Sequence, residues 1–168
     1  MNELNEQQGG YKSGIVSEID PKGVRARVRF PDLGLQTALI PVGQRKTGQD
    51  KDYWMPDVGE HVGCLMDANF EDGVILCAIY SDADQPPTDD PNVRMVRFRD
   101  GAEIAYDRVN HTLTVRGGVQ RIVVEAADEI VLRSAKLLFD APTAVFAGDV
   151  EAAGKVMDAG GNSNHHSH

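Results

Sequence analysis

The stretch over residues 122–156 constrains this chain more than any other. Written in rows of eight, it reads IVVEAADE, IVLRSAKL, LFDAPTAV, FAGDVEAA and GKV. The first column holds Ile122, Ile130, Leu138 and Phe146. The third holds Val124 and Leu132, then drifts to Asp140 and Gly148. Apolar residues alternate with polar or small ones within a row, which is the period of a β-strand. A short unit recurring in this way is the signature of a stacked β architecture.

Such rows are hard to fold in a monomer. Each holds few large apolar groups, and a handful of them cannot enclose a core. Open strand edges would also invite pairing with other chains. Winding identical chains around one axis meets both demands, because each face then buries against its neighbours. The expectation is a symmetric homo-oligomer, most simply a trimer with three faces around one axis. Ordinary strands of a sandwich are the competing reading. The regularity of the repeat and the lack of turn dipeptides between rows weigh against it.

At 168 residues there is room for one ordinary domain, or for a small domain with an extension. Seventeen glycines and only 6% aromatic residues favour β structure with tight turns. The formal net charge of −9 argues against non-specific nucleic-acid binding, which needs a basic field. The opening MNELNEQQGG is polar, with no apolar signal region, and no run approaches the roughly 20 apolar residues of a membrane helix. The expectation is a protein made in the cytoplasm that leaves only as part of a larger particle. Cys64 and Cys77 sit in apolar, strand-like runs without a CxxC spacing or a nearby His. They read as buried thiols, not as a disulfide or a metal pair.

Taken in order, residues 1–10 read as a mobile arm. Residues 14–20 (GIVSEID) form a strand candidate, and Pro21-Lys22-Gly23 a turn. In residues 24–30 (VRARVRF), Val24, Ala26, Val28 and Phe30 face one side and Arg25, Arg27 and Arg29 the other. Residues 37–42, 61–67 and 73–80 supply three more strands, with Glu71-Asp72-Gly73 as the hairpin turn before the last. That last strand is apolar on both faces, so one face is left for a second subunit. Five strands of this size fit a small closed Greek-key barrel of the oligonucleotide/oligosaccharide-binding (OB) type. The acidic segment 81–92 (SDADQPPTDDPN) reads as a linker and a domain boundary. Strands at 94–99 and 102–106 flank the turn signal Asp100-Gly101, and a strand at 112–116 follows Asn110-His111.

In this order the motifs are recognisable. GIVSEID then VRARVRF, WMPDVGEHV, GVILCAIYSDADQPP, FRDGAEIAYD, the repeat and a terminal His-x-His run over almost the whole chain. The chain resembles the baseplate assembly protein V family, the central spike of contractile phage tails and of R-type bacteriocins. The resemblance implies an N-terminal barrel that trimerises and attaches the spike to the tail hub. It implies that the repeats form an intertwined three-chain β-helix, and that the tip pierces the outer membrane of the target cell. Family tips commonly carry a Gly-rich segment after the His-x-His, whereas this sequence stops at His168.

The terminal histidines are the residues that most resemble a chemical site. On an extended strand His166 and His168 point to the same side and His165 away. Three chains would bring six imidazoles to one axis, an all-nitrogen octahedral set suited to Fe(II), Ni(II) or another first-row ion, with Zn also in range. The resemblance selects iron. A saturated ion leaves no open position for substrate, so the expected role is structural: to pin three chain ends into a hard point. A tag or a His-rich tail is the plainer alternative.

Other candidate sites are thinner. The Arg25/Arg27/Arg29 stripe lacks the interleaved aromatics that base stacking needs, so it reads as a solvated or inter-subunit strand face. Glu125 and Asp128 could be imagined as a glycosidase pair, but nothing places them in a pocket. No GxSxG, P-loop or Cys–His nucleophile is present. Tyr53 and Trp54 read as core or as a subunit contact.

The expected architecture is all-β: an OB-fold barrel followed by an intertwined trimeric β-helix. The expected segments are a mobile arm at 1–10, the barrel at 11–85 and a linker with a β neck at 86–118. A triangular shaft at 119–157 and a metal-binding apex at 158–168 complete the chain. The expected function is mechanical and not enzymatic: a homotrimeric needle at the baseplate centre, carried in the particle's tail and driven by sheath contraction through the target's outer membrane. Its partners would be the tail hub and baseplate proteins, with no nucleic acid. The competing classes are a trimeric glycan-binding fibre and, behind it, a cell-wall-degrading tail enzyme.

Overall fold

The computed structural model of the protein describes residues 9–154, 157–158 and 161–162. Among the described residues the fold is all-β, with no helix. No helix is long and apolar enough to cross a membrane. The strands are β1 (Gly10–Asp20), β2 (Arg25–Phe30), β3 (Leu35–Gln36), β4 (Ile40–Pro41), β5 (His61–Met66) and β6 (Gly73–Ala78). They continue with β7 (Val93–Arg97), β8 (Glu103–Asp107), β9 (Thr112–Arg116), β10 (Met157–Asp158) and β11 (Gly161–Asn162). The chain divides into two compact units, residues 1–121 and 122–168.

In the first unit β1 is the spine. It pairs antiparallel with β2 on one side and β5 on the other, and β5 pairs with β6. β4 pairs with the start of β2. Just past β4, Val42 bridges Ile75 of β6 in parallel, and the Gly43 amide donates to the Ile75 carbonyl at 2.8 Å. The sheet therefore closes on itself in the ring β1–β2–β4–β6–β5. The interior is filled by Val16, Ala26, Val28, Phe30, Ile40, Val62, Cys64, Met66 and Ile75. Alternation in VRARVRF produces this: Ala26, Val28 and Phe30 are fully buried while Arg25 and Arg29 face out. Phe70 meets Phe30 edge-on, with ring centroids 6.2 Å apart, and covers one end of the core.

Several expected boundaries shift. Val24 falls in the turn at φ 51°, so β2 starts at Arg25. The expected strand over 37–42 shrinks to Ile40–Pro41 because Thr37 leaves the regular ladder. Its hydroxyl accepts the Val28 amide at 3.0 Å and donates to the Ala38 carbonyl at 2.6 Å, while its own amide donates to the Val28 carbonyl. The β5–β6 turn begins earlier than Glu71, at Asp67, whose carboxylate accepts the amides of Glu71 and Asp72. Cys77 is exposed, contrary to the expectation of two buried thiols. A register shift between Gly63 and Cys64 breaks the inside–outside alternation opposite it, and Leu76, Cys77 and Ala78 all face outward.

β7, β8 and β9 form an antiparallel meander in the same unit. Asp100-Gly101 makes the first turn, with Gly101 at φ 84° and the Asp100 carboxylate accepting the Ala102 amide at 3.0 Å. The Asp107 carboxylate organises the second turn by accepting the amides of Val109 and Asn110.

In the second unit the strands expected in rows of eight are not formed among the described residues. Residues 122–154 run as extended chain interrupted by bends at Ala127-Asp128, Ala135, Ala141-Pro142, Ala147-Gly148 and Ala153-Gly154. Every bend begins on an alanine, and the bends are spaced by eight residues once and then by six. The eight-residue columns drift after Leu138, where the bends are spaced by six residues. Three consecutive apolar residues, Leu137, Leu138 and Phe139, fit either register and hide the change. β10 and β11 pair with each other in a short antiparallel ladder.

Candidate functional site

The residues that stand out are apolar side chains with nothing over them. From Ile122 to Val150 the second unit exposes Ile122, Val124, Ile130, Leu132, Leu138, Phe146 and others, each more than half accessible. Among the described residues, no backbone–backbone hydrogen bond involves residues 122–154. The Ser134 hydroxyl, donating to the Lys136 carbonyl at 2.8 Å, is a rare internal tie. An extended chain of this kind gains little from burial and leaves its amides to water.

The first unit carries two more such faces. Across the β7–β8–β9 meander, Val96, Ile104 and Val115 lie in one cross-strand row, and Arg94, Tyr106 and Leu113 in another on the same side. All six are exposed. On the barrel exterior, Tyr11 of β1 sits opposite Leu65 of β5, and Leu76 of β6 is also exposed. This is the outward apolar face that the sequence of residues 73–80 predicts.

The opposite side of the meander is polar and tightly organised. Glu103 on β8 is buried between Arg97 on β7 and Arg116 on β9. Arg97 donates to its Oε1 at 2.6 Å and Arg116 to its Oε2 at 2.8 Å. The Arg116 contact first, then the Arg97 contact, hold the Glu103 carboxyl below its ordinary range. One carboxylate thus ties all three strands into register. Sequence reading missed this cluster, because its members are separated along the chain and meet only through strand pairing.

Trp54 is exposed and not part of the core. The Gln44 side chain grips its backbone from both sides, accepting from the Trp54 amide at 3.0 Å and donating to its carbonyl at 3.1 Å. The indole leans on Phe98 with centroids 5.6 Å apart. Arg99 bridges Asp57 at 2.8 Å in the same neighbourhood. Tyr53 is also exposed, and its hydroxyl donates to the Pro21 carbonyl at 3.4 Å.

Of the remaining sequence candidates, Arg27 pairs with Glu18 at 2.9 Å and donates to the Thr37 carbonyl. The arginine stripe is thus partly neutralised by its own sheet. Glu125 and Asp128 are exposed on the extended tract. Cys64 is fully buried, and burial, aided by the neighbouring Cys77, pushes its thiol up to about 11. His165, His166 and His168 lie outside the described residues. Among the described residues no group of three or more His, Cys, Asp or Glu is placed to hold a metal ion.

No family model matches the chain. The chain is similar to the spike protein of Escherichia phage P2, at 28% identity over 135 residues, which is 80% of this chain. The match takes in 63% of that protein, so the chain spans just under two thirds of the length of its curated relative. An all-β chain with an uncovered repeat is therefore similar, over most of its length, to a protein that is a phage spike.

Proposed function

We propose that this chain is the structural spike of a contractile phage tail or a related bacteriocin particle. In this reading it works as a homotrimer at the centre of the baseplate. The observation that carries the reading is the uncovered tract at 122–154, which has no backbone partner among the described residues. Three identical chains wound around one axis would give each row the partners it lacks and hide its apolar groups. The similarity to the phage P2 spike protein supports the same reading.

The closed ring at the N-terminal end is read as an OB-type barrel that attaches the spike to the tail hub. Its strand order and its parallel closure at Val42 and Ile75 support that assignment. The tract is read as a three-chain β-helix. His166 and His168 of each chain would hold an iron ion at the apex, whose role is to lock the chain ends together. The mechanism is mechanical: sheath contraction supplies work along the axis, and a narrow closed shaft concentrates it on a small area of outer membrane. Intertwined chains resist unfolding because no chain can peel away alone.

The test is a native mass spectrum of untagged protein purified without nickel. A trimer carrying one iron that is lost in a His166→Ala/His168→Ala variant is the expected result. A metal-free trimer would remove the apex from the reading and keep the spike. A monomer at micromolar concentration would overturn the spike itself.

A further inference from the structure

The barrel and the β7–β8–β9 meander are separate sheets, and among the described residues no backbone–backbone hydrogen bond joins one to the other. What crosses between them is side chain on side chain. The Trp54 indole meets Phe98 with ring centroids 5.6 Å apart and ring planes at 42°. Three residues on from Trp54, the Asp57 carboxylate pairs at 2.8 Å with Arg99, the residue after Phe98. One loop of the barrel thus meets one turn of the meander at two neighbouring points.

We infer that these two contacts form a clasp that sets how the meander is carried on the barrel, so that the two move as one body. Such a clasp lies within one chain, and it holds or fails independently of the spike reading.

Both jaws are ordered by their own elements. On the barrel side, Gln44 accepts from the Trp54 amide at 3.0 Å and donates to its carbonyl at 3.1 Å. Asp57 is fixed in the same manner by Glu60, whose carboxylate accepts the Asp57 amide at 2.8 Å and whose amide donates to the Asp57 carbonyl at 3.1 Å. On the meander side, the Phe98 amide donates to the Ala102 carbonyl at 2.8 Å, and the Phe98 carbonyl accepts the Gly101 amide at 3.0 Å. Phe98 and Arg99 therefore stand at the root of the β7–β8 turn. Groups mounted on ordered backbone lose less freedom when they meet, so exposed contacts are enough to bias an orientation. Residues 43–60 form no strand, and the clasp gives that segment a task.

The covalent connection is built to match. Ser81 and Asp84 exchange backbone hydrogen bonds at 3.2 and 3.1 Å, which closes a turn at one end of segment 81–92. At the other end the Asn92 amide donates to the Asp90 carboxylate at 2.8 Å, and Arg108 in the β8–β9 turn donates to the Asn92 side chain at 2.9 Å. Pro86 and Pro87 stand between, each with its φ fixed by the ring. Both line a groove together with Trp54, Tyr80 and Phe98. A connection with so few free torsions acts as a strut and not as a loose tether. The clasp remains the weaker part, because the side chains of Arg99 and Asp57 are 83% and 70% exposed. The pair adds little to cohesion and is open to screening by salt. It gives way before either body unfolds.

Trp54 is the only tryptophan of the chain, so its fluorescence reports the clasp directly. The measurement is acrylamide quenching of the full chain at low salt. Phe98→Ala and Arg99→Asp should each open the indole to the quencher. Loss of an aromatic contact of this kind shifts the closed-to-open ratio by about two- to tenfold. Asp57→Arg/Arg99→Asp restores the pair with its charges exchanged and should return quenching to the parent's level. Protection of Cys64 from iodoacetamide separates an opened clasp from an unfolded barrel. Should Phe98→Ala unfold the barrel, the variants at Arg99, whose side chain is exposed, decide alone. Equal quenching in the parent, Phe98→Ala and Arg99→Asp would overturn the clasp, whether the indole is open in all three or covered in all three by another chain. Failure of the exchanged pair to restore parent quenching, with Cys64 still protected, would overturn it as well.

Discussion

At the scale of single residues, two groups have properties that their neighbours in sequence do not announce. Cys64 and Cys77 sit in equally apolar runs, yet one is sealed in the core and the other faces out. The thiolate is the reactive form, and burial raises the Cys64 thiol to about 11. Iodoacetamide at pH 8 should therefore leave Cys64 unmodified in the folded protein and modify it once urea unfolds the barrel. Peptide mass mapping reads this directly, and labelling of Cys64 in the native state would place it outside the core. Glu103 is the second case. Its carboxyl is held below the ordinary 4.5 by Arg116 and Arg97. A lowered carboxylate contributes stability that is fully present above its unfolded value and is lost as the pH falls through the folded one. The meander should keep its melting temperature from pH 7 to pH 5 and lose it below the carboxylate range. In Glu103→Gln that acid limb should be shallower. An identical acid limb in both proteins would remove Glu103 as its source. Asp32, lowered by the Lys12 hydrogen bond, and Asp107, lowered by the Asn110 amide, titrate in the same sense, so some acid sensitivity should persist in the variant.

At the scale of elements, the barrel, the meander and the tract are held by different forces. The barrel has a core of its own, from Val16 to Ile75, and closes on itself at the Val42–Ile75 bridge. The meander is tied by turn carboxylates and by the Glu103 cluster, while one of its faces stays apolar and exposed. The tract has neither core nor ladder. Leu138 makes the contrast testable, because it is 72% exposed in the single chain. On an isolated extended chain Leu138→Asp would change stability by less than about 0.5 kcal/mol. In an assembly that buries the position, an unpaired carboxylate costs several kcal/mol, on the order of 3–5. Sedimentation of the variant should show smaller species than the parent. Parent-like sedimentation would mean that Leu138 faces solvent in the assembled protein as well.

At the scale of the whole molecule, the chain joins a unit that can stand on its own core to one that cannot. A net charge of −9 per chain is multiplied in any assembly, which favours solubility over loose aggregation of the exposed tract. Surface ion pairs such as Lys12–Asp32 and Arg99–Asp57 contribute little to holding such a molecule together. Its cohesion has to come from apolar burial and backbone pairing. For residues 122–154 the single chain supplies neither among the described residues.

Much of this was legible before any coordinates. The period-two alternation of VRARVRF places Ala26, Val28 and Phe30 inside, because successive side chains on a strand must face opposite ways whatever surrounds them. Asp100-Gly101 marks its turn for an equally local reason, the left-handed backbone that glycine adopts freely. The all-β class and the uncovered repeat follow from the same short-range pattern. What depended on the tertiary structure is everything set by register. The shift between Gly63 and Cys64 decided that Cys77 faces out. Pairing of β7, β8 and β9 brought Arg97, Glu103 and Arg116 together from distant positions. The bends from Ala127 to Ala153 are spaced by eight residues once and then by six, which the eight-residue columns do not show. A pattern of apolar residues reports which face a side chain takes, since the backbone imposes that locally. Which residue lies opposite, and how long a row runs before it turns, depends on where distant segments meet, and only the folded chain carries that information.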